Sequence, residues 1–487
     1  MKNIIQNLKQ QTFNAIIWTI LDNVGVRSIS FISMLFLARW LGPEEFGFVG
    51  MIAVFISLGH TLVISGMTTS LIRTTNADSS DYNTVFYLNL TMSLIVYFSI
   101  YILATHIAFF YREPILMDVI RVYAIIFLLT AFSAVQSAIL NKDMDFKKLT
   151  IISIPSTLVG VSVGLYMGYN DYGVWSIVFL YLTTELIRTI LLWIFTKWKP
   201  SLNFSMQKFK IHFGFGYKLM ISTIIDTLYQ NIYNIIIGKF YNATTLGYFE
   251  RSKRFCEYPS ATFTGIMLKV TYPMLSKLQD NPERMASIYK KILRLSFFII
   301  APIMLGSASV AEPLFELILG SEWIPAVTFF QILCLGMMLY PVHAFNLNIL
   351  NVYGRSDLFL KLEVIKKSIA VFGILCAFQF GVLGLVWSYV FTSFASLFIN
   401  MYYSSRIIKY TINEQFGDLI VTLFISILVA TAMYNLQLHL YQLGSLLQLS
   451  ITLFFGFLLY IFLNLLNKRS PIYESLIYLK IASKDND

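Results

Sequence analysis

The sequence predicts an all-α polytopic membrane protein with about fourteen transmembrane helices. Of its 487 residues, 57% are hydrophobic and only 13% are charged. Apolar runs of about 20 residues, each long enough to cross a bilayer, recur from residue 13 to residue 467. No soluble domain fits between these runs. The predicted spans are 13–37, 48–70, 83–109, 116–140, 149–169, 173–196, 215–238, 244–270, 293–311, 325–352, 359–380, 383–405, 417–436 and 444–467.

An internal repeat suggests how these helices are grouped. With an offset of 200 residues, ARWLGPEEFGFV (38–49) aligns with GKFYNATTLGYF (238–249), and Gly47 meets Gly247. The repeat maps helices 1–6 onto helices 7–12, so the two halves have the same orientation and are related by a pseudo-two-fold axis. Transporters built from such repeats bind substrate between the halves. The alternative is that these segments are only generic helix-end signals.

The repeat gives the predicted domain organisation. The first span follows a short polar prefix without a small-residue cleavage site, so it is interpreted as a retained helix rather than a signal peptide. The predicted parts are a cytoplasmic or interfacial N-terminus (1–12), an N-terminal six-helix bundle (13–196), a basic cytoplasmic linker (197–214), a C-terminal six-helix bundle (215–405), helices 13 and 14 (406–467) and a cytoplasmic tail (468–487).

The basic residues predict the orientation in the membrane. Of the 36 Lys and Arg residues, 26 fall in segments on the same side as the two termini, and only four fall in segments on the other side. Cytoplasmic loops carry the excess of positive charge, so both termini are predicted to be cytoplasmic. The net charge of +10 is therefore attributed to helix orientation and anionic lipid rather than to nucleic acid.

The three cysteines do not predict a metal site. Cys256, Cys334 and Cys376 lie in or beside predicted spans, without metal-ligand spacing or an accompanying histidine cluster. They are interpreted as structural thiols.

Charged side chains are concentrated in the predicted eighth helix. At about 100° per residue, one face of this helix carries the charged residues Glu250, Arg251, Lys253, Arg254 and Glu257. The opposite face is predicted to pack or to meet lipid, and it carries Phe249, Cys256, Pro259 and Phe263. Glu250 with Arg254, and Lys253 with Glu257, have the i,i+4 spacing of ion pairs. Charges inside a membrane are costly, so this face is predicted to line an aqueous cavity.

Three more charges lie near the middle of predicted spans. Asp22 and Arg27 are on the first helix and point about 140° apart, and Asp226 is on the seventh helix. Arg27 and Arg251 are therefore expected to be unpaired and available to an anion. The forked donors of arginine suit phosphate or pyrophosphate. Alternatively, Arg27 and Arg251 pair with Asp226 and Asp22 across the halves.

The candidate residues thus fall into two groups. The predicted substrate-binding residues are Arg27, Arg251, Arg254 and Lys253. The predicted cavity carboxylates are Asp22, Asp226, Glu250 and Glu257. Among these, Asp22 and Asp226 are the candidates for coupling to H⁺ or Na⁺, because a buried carboxylate has a raised pKa and can exchange protons. No other cofactor and no catalytic residue is expected.

Five motifs in order closely resemble the Wzx-type polysaccharide flippases of the MOP exporter superfamily, in the branch associated with colanic acid and teichuronic acid export. They are FLARWLGPEEFGFVGM, SAILNKDMDFKKL, TTLGYFERSKRFCEYP, TYPMLSKLQDNPERM and EWIPAVTFFQILCLGMML. The resemblance implies two facing six-helix bundles and two extra helices. In the related lipid II flippases, arginines on helices 1 and 8 line the central cavity, and Arg27, Arg251 and Arg254 occupy the corresponding helices here.

The resemblance also implies a task. The protein would move undecaprenyl-pyrophosphate-linked oligosaccharide from the inner to the outer leaflet of the bacterial cytoplasmic membrane by alternating access, for surface polysaccharide export. Its expected partners are this substrate, membrane lipids and other polysaccharide assembly proteins. The first alternative is a multidrug exporter of the MATE type, whose cationic cargo calls for an acidic cavity. A membrane glycan polymerase or ligase would need a large external loop, and an assembly scaffold would leave the mid-membrane charges unexplained.

Overall fold

The structure is a computed structural model. It describes residues 2–64, 66–467 and 470–473, and every regular element in these ranges is a helix. In the first helix it describes the side chains of Trp18, Asp22 and residues from Val24 onward. The side chains of the predicted segment 1–12 and most of the predicted tail 468–487 therefore lie outside the described residues.

The chain divides into two compact units, Met1–Gly247 and Tyr248–Asp487. The helices of the first unit are α1 (Lys2–Ile64), α2 (Met67–Arg73), α3 (Ser79–Tyr111), α4 (Ile115–Tyr123), α5 (Ile125–Lys142), α6 (Phe146–Tyr169), α7 (Trp175–Phe195), α8 (Met206–Gln230) and α9 (Ile232–Phe240). The next helix, α10 (Ala243–Ser276), contains the boundary between the units.

Eight further α-helices follow in the second unit. They are α11 (Pro282–Ser309), α12 (Ala311–Ile318), α13 (Ala326–Met337), α14 (Tyr340–Val352), α15 (Ser356–Ala377), α16 (Gly381–Ser405), α17 (Ile412–His439) and α18 (Ser445–Leu466). A cluster of buried apolar side chains from α11, α17 and α18 includes Phe298, Val429 and Leu449. These helices thus share one packed interior.

The helices have the length and surface of membrane spans. Among the described residues, ten helical segments are long and apolar enough to cross a bilayer. Large apolar side chains lie exposed along them, including Ile102 and Phe109 on α3 and Phe454 on α18, which are 67%, 85% and 65% exposed. Such a surface is unfavourable in water and matches the hydrocarbon of a membrane. The protein is a multi-pass membrane protein.

Ten segments are fewer than the fourteen predicted spans, for two reasons. Val24–Arg73 and Ser356–Ser405 are each 50 residues long and each cover two predicted spans. The predicted seventh and eighth spans, in α8, α9 and α10, are not among the ten. These helices contain the charged residues of the candidate site, which lower their hydropathy. The number fourteen therefore stays a prediction.

The first two predicted spans meet at a break without a loop. Inside α1, Gly42 adopts φ 73° and ψ 176°, and Pro43 follows it. A positive φ strains residues that carry a Cβ, whereas glycine adopts it readily. Proline removes a backbone donor and suits the start of the next helix. The Gly-Pro pair therefore ends one helix and begins the other, between the predicted spans 13–37 and 48–70.

The aligned glycines of the predicted repeat make reciprocal close contacts. A methyl group on Gly47 would overlap the carbonyl of Ala243, and one on Gly247 would overlap the carbonyl of Pro43. Positions 43 and 243, like 47 and 247, differ by the predicted offset of 200. Reciprocal contacts of this kind are typical of segments related by a two-fold axis. They support the alignment of these two segments and explain why both positions are glycine.

The predicted seventh span packs within the first compact unit. Helix α8 contacts α1, α2 and α3, and α9 contacts α1 and α3. The compact units therefore divide the chain later than the predicted bundles 13–196 and 215–405 do. The repeat is a similarity in sequence, whereas the compact units are defined by contacts between residues. The two divisions are not equivalent, so the predicted bundles stay a prediction.

Candidate functional site

The charged face of α10 is oriented by a ladder of small polar residues on the other side of the helix. Ser252 and Ser260 donate hydrogen bonds to the carbonyls of Ala326 and Met337, at 2.9 and 3.1 Å. Both serines are fully buried. The ladder fixes this side of α10 against α13 and its C-terminal end. The charged residues, which lie on other sides of the helix, therefore point away from that contact.

Cysteines take part in the same contact. The Sγ atoms of Cys256 and Cys334 are 3.4 Å apart, and both residues are fully buried. All three cysteines are free thiols, with Cys376 exposed. A buried thiol packs like a small apolar side chain and is poorly reactive. Cys256 and Cys334 are therefore structural thiols, as predicted. No cluster of three His, Cys, Asp or Glu residues that could hold a metal occurs within the described residues.

Both predicted ion pairs on the charged face are formed. Lys253 Nζ lies 3.8 Å from Glu257 Oε1, and Arg254 Nε lies 3.6 Å from Glu250 Oε2. The side chain of Arg254 is 65% exposed and that of Lys253 is 16% exposed. These distances are long for ion pairs, and exposed pairs contribute only about 0–1 kcal/mol. Neither pair thus reaches the close contact of a tight ion pair, which leaves both cations able to engage a more highly charged anion.

Arg251 differs from its neighbours on this face. It is half-buried and has contacts of its own, so the expectation of an unpaired arginine at this position is wrong. The expectation considered only the i,i+4 spacing along the helix, which does not decide whether a side chain finds another partner. Arg251, Lys253 and Arg254 nevertheless place three cations within about one turn of α10.

Asp22 and Arg27 face different surroundings in the first unit, as their spacing on α1 predicted. Asp22 is half-buried and accepts a hydrogen bond from the hydroxyl of Ser153 on α6. Arg27 is exposed. Asp226, on α8, is half-buried and has a partner. A hydroxyl thus holds the carboxylate of Asp22.

Asp22 also lines a polar chamber within the first unit. The chamber has a volume of about 430 Å³ and lies between α1, α5, α6 and α7. Across it stand Glu185 and Arg188 of α7, whose Oε2 and Nη1 atoms are 3.4 Å apart. Ser133 donates a hydrogen bond to Glu185 Oε1 at 3.0 Å. The chamber therefore holds two carboxylates, one guanidinium and several hydroxyl groups.

Sequence reasoning did not find this chamber. Glu185 and Arg188 stand three apart on one helix, a spacing that indicates a local pair and nothing about Asp22. A signal was nevertheless present in α6, where Thr150, Ser153 and Thr157 recur at the spacing of one helix face and all line the chamber. A hydroxyl stripe in a membrane helix indicates a polar neighbour or an aqueous cavity.

Comparisons with known proteins agree with the fold. A relative is the lipopolysaccharide biosynthesis protein WzxC of Escherichia coli strain K12, which is 23% identical over 362 residues, or 74% of each chain. The teichuronic acid biosynthesis protein TuaB of Bacillus subtilis strain 168 is 22% identical over 468 residues, covering 94% of this chain and 96% of TuaB.

A solved structure is similar over nearly the whole chain. The lipid II flippase MurJ in an inward closed conformation superposes with a TM-score of 0.76 at 13% identity, over 96% of this chain and all of that one. At this identity the similarity concerns the fold alone. The model of a protein family described as polysaccharide biosynthesis protein matches residues 36–328, more than half of the sequence. The chain belongs to this polysaccharide biosynthesis protein family.

Proposed function

We propose that this protein is a flippase for undecaprenyl-pyrophosphate-linked glycan. It moves the glycan from the inner to the outer leaflet of the bacterial cytoplasmic membrane, and both its termini are cytoplasmic. The main observation behind this proposal is the cationic face of α10 in a membrane protein of a polysaccharide biosynthesis family. The similarity in fold to MurJ, which is a lipid II flippase, supports the proposal.

The chemistry of the charged face suits a pyrophosphate. Arg251, Arg254 and Lys253 offer forked and point donors within one turn, and Arg27 is the candidate donor of the first unit. Pyrophosphate carries more charge than one carboxylate and can accept several charge-assisted hydrogen bonds at once. In the proposed cycle it takes the place of Glu250 and Glu257 as the partner of Arg254 and Lys253. The cations are thus kept paired until substrate arrives.

The transport cycle requires a driving force. We propose that the coupling ion binds in the polar chamber. Hard cations prefer oxygen ligands, and a carboxylate in a membrane can also take up a proton. Asp22, Glu185 and the hydroxyls of α6 supply such oxygens. Asp22 is preferred over Asp226 because it lines a described cavity. We assign coupling to H⁺ or Na⁺ to this chamber, separately from glycan binding.

A multidrug exporter of the MATE type is less favoured. A cationic drug would meet three cations on α10. Carboxylates at 3.8 and 3.6 Å pair with two of them, Lys253 and Arg254. Like charges at close range repel, and in a low-dielectric site the penalty grows. An anionic headgroup experiences the opposite effect. The site therefore selects against the alternative cargo.

Cells that lack the protein test the proposed function. We expect undecaprenyl-pyrophosphate-linked glycan to accumulate on the cytoplasmic side of the membrane in a null strain, and a plasmid copy to reverse the accumulation. Glycan on the two sides is measured by labelling intact and permeabilised cells with an impermeant sugar-binding probe. Unchanged glycan distribution in the null strain would contradict the proposal.

A further inference from the structure

Residues 197–212, here called the linker strap, comprise most of the connection between α7 and α8 together with the first seven residues of α8. The strap carries four lysines and no carboxylate. Hydrogen bonds fix the strap to the start of α3. Asn83 Nδ2 donates to Ser201 Oγ at 2.7 Å, and the amide of Ser201 donates to Asn83 Oδ1 at 3.0 Å. The amide of Ser205 donates to Thr84 Oγ1 at 3.1 Å. Asn83 and Thr84 are fully buried, so the strap has a defined position.

A buried polar cluster fixes the end of the strap. Lys208 Nζ lies 2.7 Å from Asp81 Oδ2, and His212 Nε2 lies 3.0 Å from Asp81 Oδ1. His212 Nδ1 is 2.9 Å from Ser70 Oγ on α2. Asp81 is 2% exposed and His212 is fully buried. Lys208 is thus engaged in an ion pair with Asp81. The other three lysines of the strap, at positions 197, 199 and 210, are exposed.

The outer side of the strap combines these lysines with exposed apolar residues. Leu202, Phe204 and Met206 are 97%, 48% and 59% exposed. Exposed apolar groups next to cations are typical of segments that lie in a membrane interface, where the apolar groups enter the acyl region and the cations meet anionic headgroups. The strap therefore has the chemistry of an interface with an anionic membrane.

A groove lies between the strap and α3. It has a volume of about 460 Å³ and is lined by Tyr87, Leu88, Thr91, Leu202 and Phe204. This volume lies within the usual range for small-molecule sites. Its lining is mainly apolar, and two of the lining residues, Leu202 and Phe204, belong to the same segment as the exposed lysines. One groove thus offers room for an acyl chain beside charges that suit a phosphate.

We propose that the linker strap binds one anionic phospholipid of the cytoplasmic leaflet. Its phosphate meets Lys197, Lys199 and Lys210, and an acyl chain lies in the groove. Charge complementarity favours this occupant, because the strap carries no carboxylate and the cytoplasmic leaflet is anionic. The inference rests on the proposed orientation of the protein. It does not depend on the identity of the glycan.

Lipid binding by the purified full-length protein tests the charge part of the site. In native mass spectrometry, the apparent Kd for phosphatidylglycerol is expected to rise about 100-fold in Lys197→Ala/Lys199→Ala/Lys210→Ala, at about fivefold per lysine. The control Lys277→Ala/Arg284→Ala/Lys361→Ala removes three exposed charges elsewhere and should change it less than twofold. Equal Kd values for the strap variant and wild type, or equal binding of phosphatidylcholine, would overturn the proposal.

Two further variants test the groove. Thr91→Trp fills it from an exposed position on α3 and is expected to raise the Kd at least about tenfold, because acyl methylenes lose their burial. Thr431→Trp, on an exposed face of α17, is its control. Leu202→Ser should also weaken binding without disturbing the fold. Retained affinity in both groove variants would overturn the site, as would stronger binding of undecaprenyl phosphate than of phosphatidylglycerol. This binding assay is independent of flipping, so it separates failure of this inference from failure of the proposed function.

Discussion

Replacing Arg27 and Arg251 together by alanine is expected to slow glycan flipping at least about 100-fold. Hydrogen bonds to a charged group contribute about 1.5–3 kcal/mol each, so the loss of one such donor in each unit removes about 3–6 kcal/mol of interaction with the substrate in total. A factor of ten corresponds to about 1.4 kcal/mol. The rate is measured in proteoliposomes that contain equal amounts of folded protein.

Matched variants separate this effect from a general loss of positive charge. Arg284→Ala with Arg406→Ala removes two exposed arginines and should leave the flipping rate within about twofold. Arg27→Lys with Arg251→Lys keeps the charge but not the forked donors, so an intermediate rate is expected. Wild-type flipping by the double alanine variant would place these arginines outside the substrate site and assign them a structural role.

Asp22→Asn is expected to abolish the dependence of flipping on an imposed H⁺ or Na⁺ gradient and to lower the rate about 5- to 150-fold, the usual range for the loss of a coupling energy. Asparagine has nearly the same size and can still accept the hydrogen bond from Ser153. It cannot bind a proton or supply a negative charge. The fold of the chamber is therefore expected to survive while its response to the ion is lost.

Flipping in proteoliposomes with opposed pH or Na⁺ gradients checks this expectation. Asp226→Asn tests the other predicted coupling carboxylate. It should retain the gradient dependence, because Asp226 is not among the residues that line the chamber. Asp143→Asn, at an exposed loop position, is the neutral control. A gradient response that persists in Asp22→Asn and disappears in Asp226→Asn would move the coupling site from α1 to α8.

Local features of the fold could be predicted well from the sequence. The Gly42-Pro43 break depends on backbone conformations that neighbouring atoms dictate. The Glu250–Arg254 and Lys253–Glu257 pairs depend only on helix periodicity. The aligned glycines at positions 47 and 247 were recognised as a repeat, and their reciprocal close contacts with 243 and 43 give that pattern a physical reason.

Features that arise where distant helices meet could not be predicted in this way. Asp22 of α1 and Glu185 of α7 line one polar chamber through the packing of α5 and α6, and no spacing in one helix encodes this. The place of α8 in the first compact unit likewise follows from tertiary contacts with α1, α2 and α3 rather than from the order of the repeat.

Transfer of glycan across a vesicle membrane tests the central claim most directly. The purified protein is reconstituted with undecaprenyl-pyrophosphate-linked glycan, and an impermeant glycosidase measures how much glycan reaches the outer surface. The account predicts that protein-containing vesicles expose glycan which protein-free vesicles protect, and that undecaprenyl-linked glycan lacking the pyrophosphate is moved much more slowly. Equal protection of the glycan in vesicles with and without the protein would contradict the account.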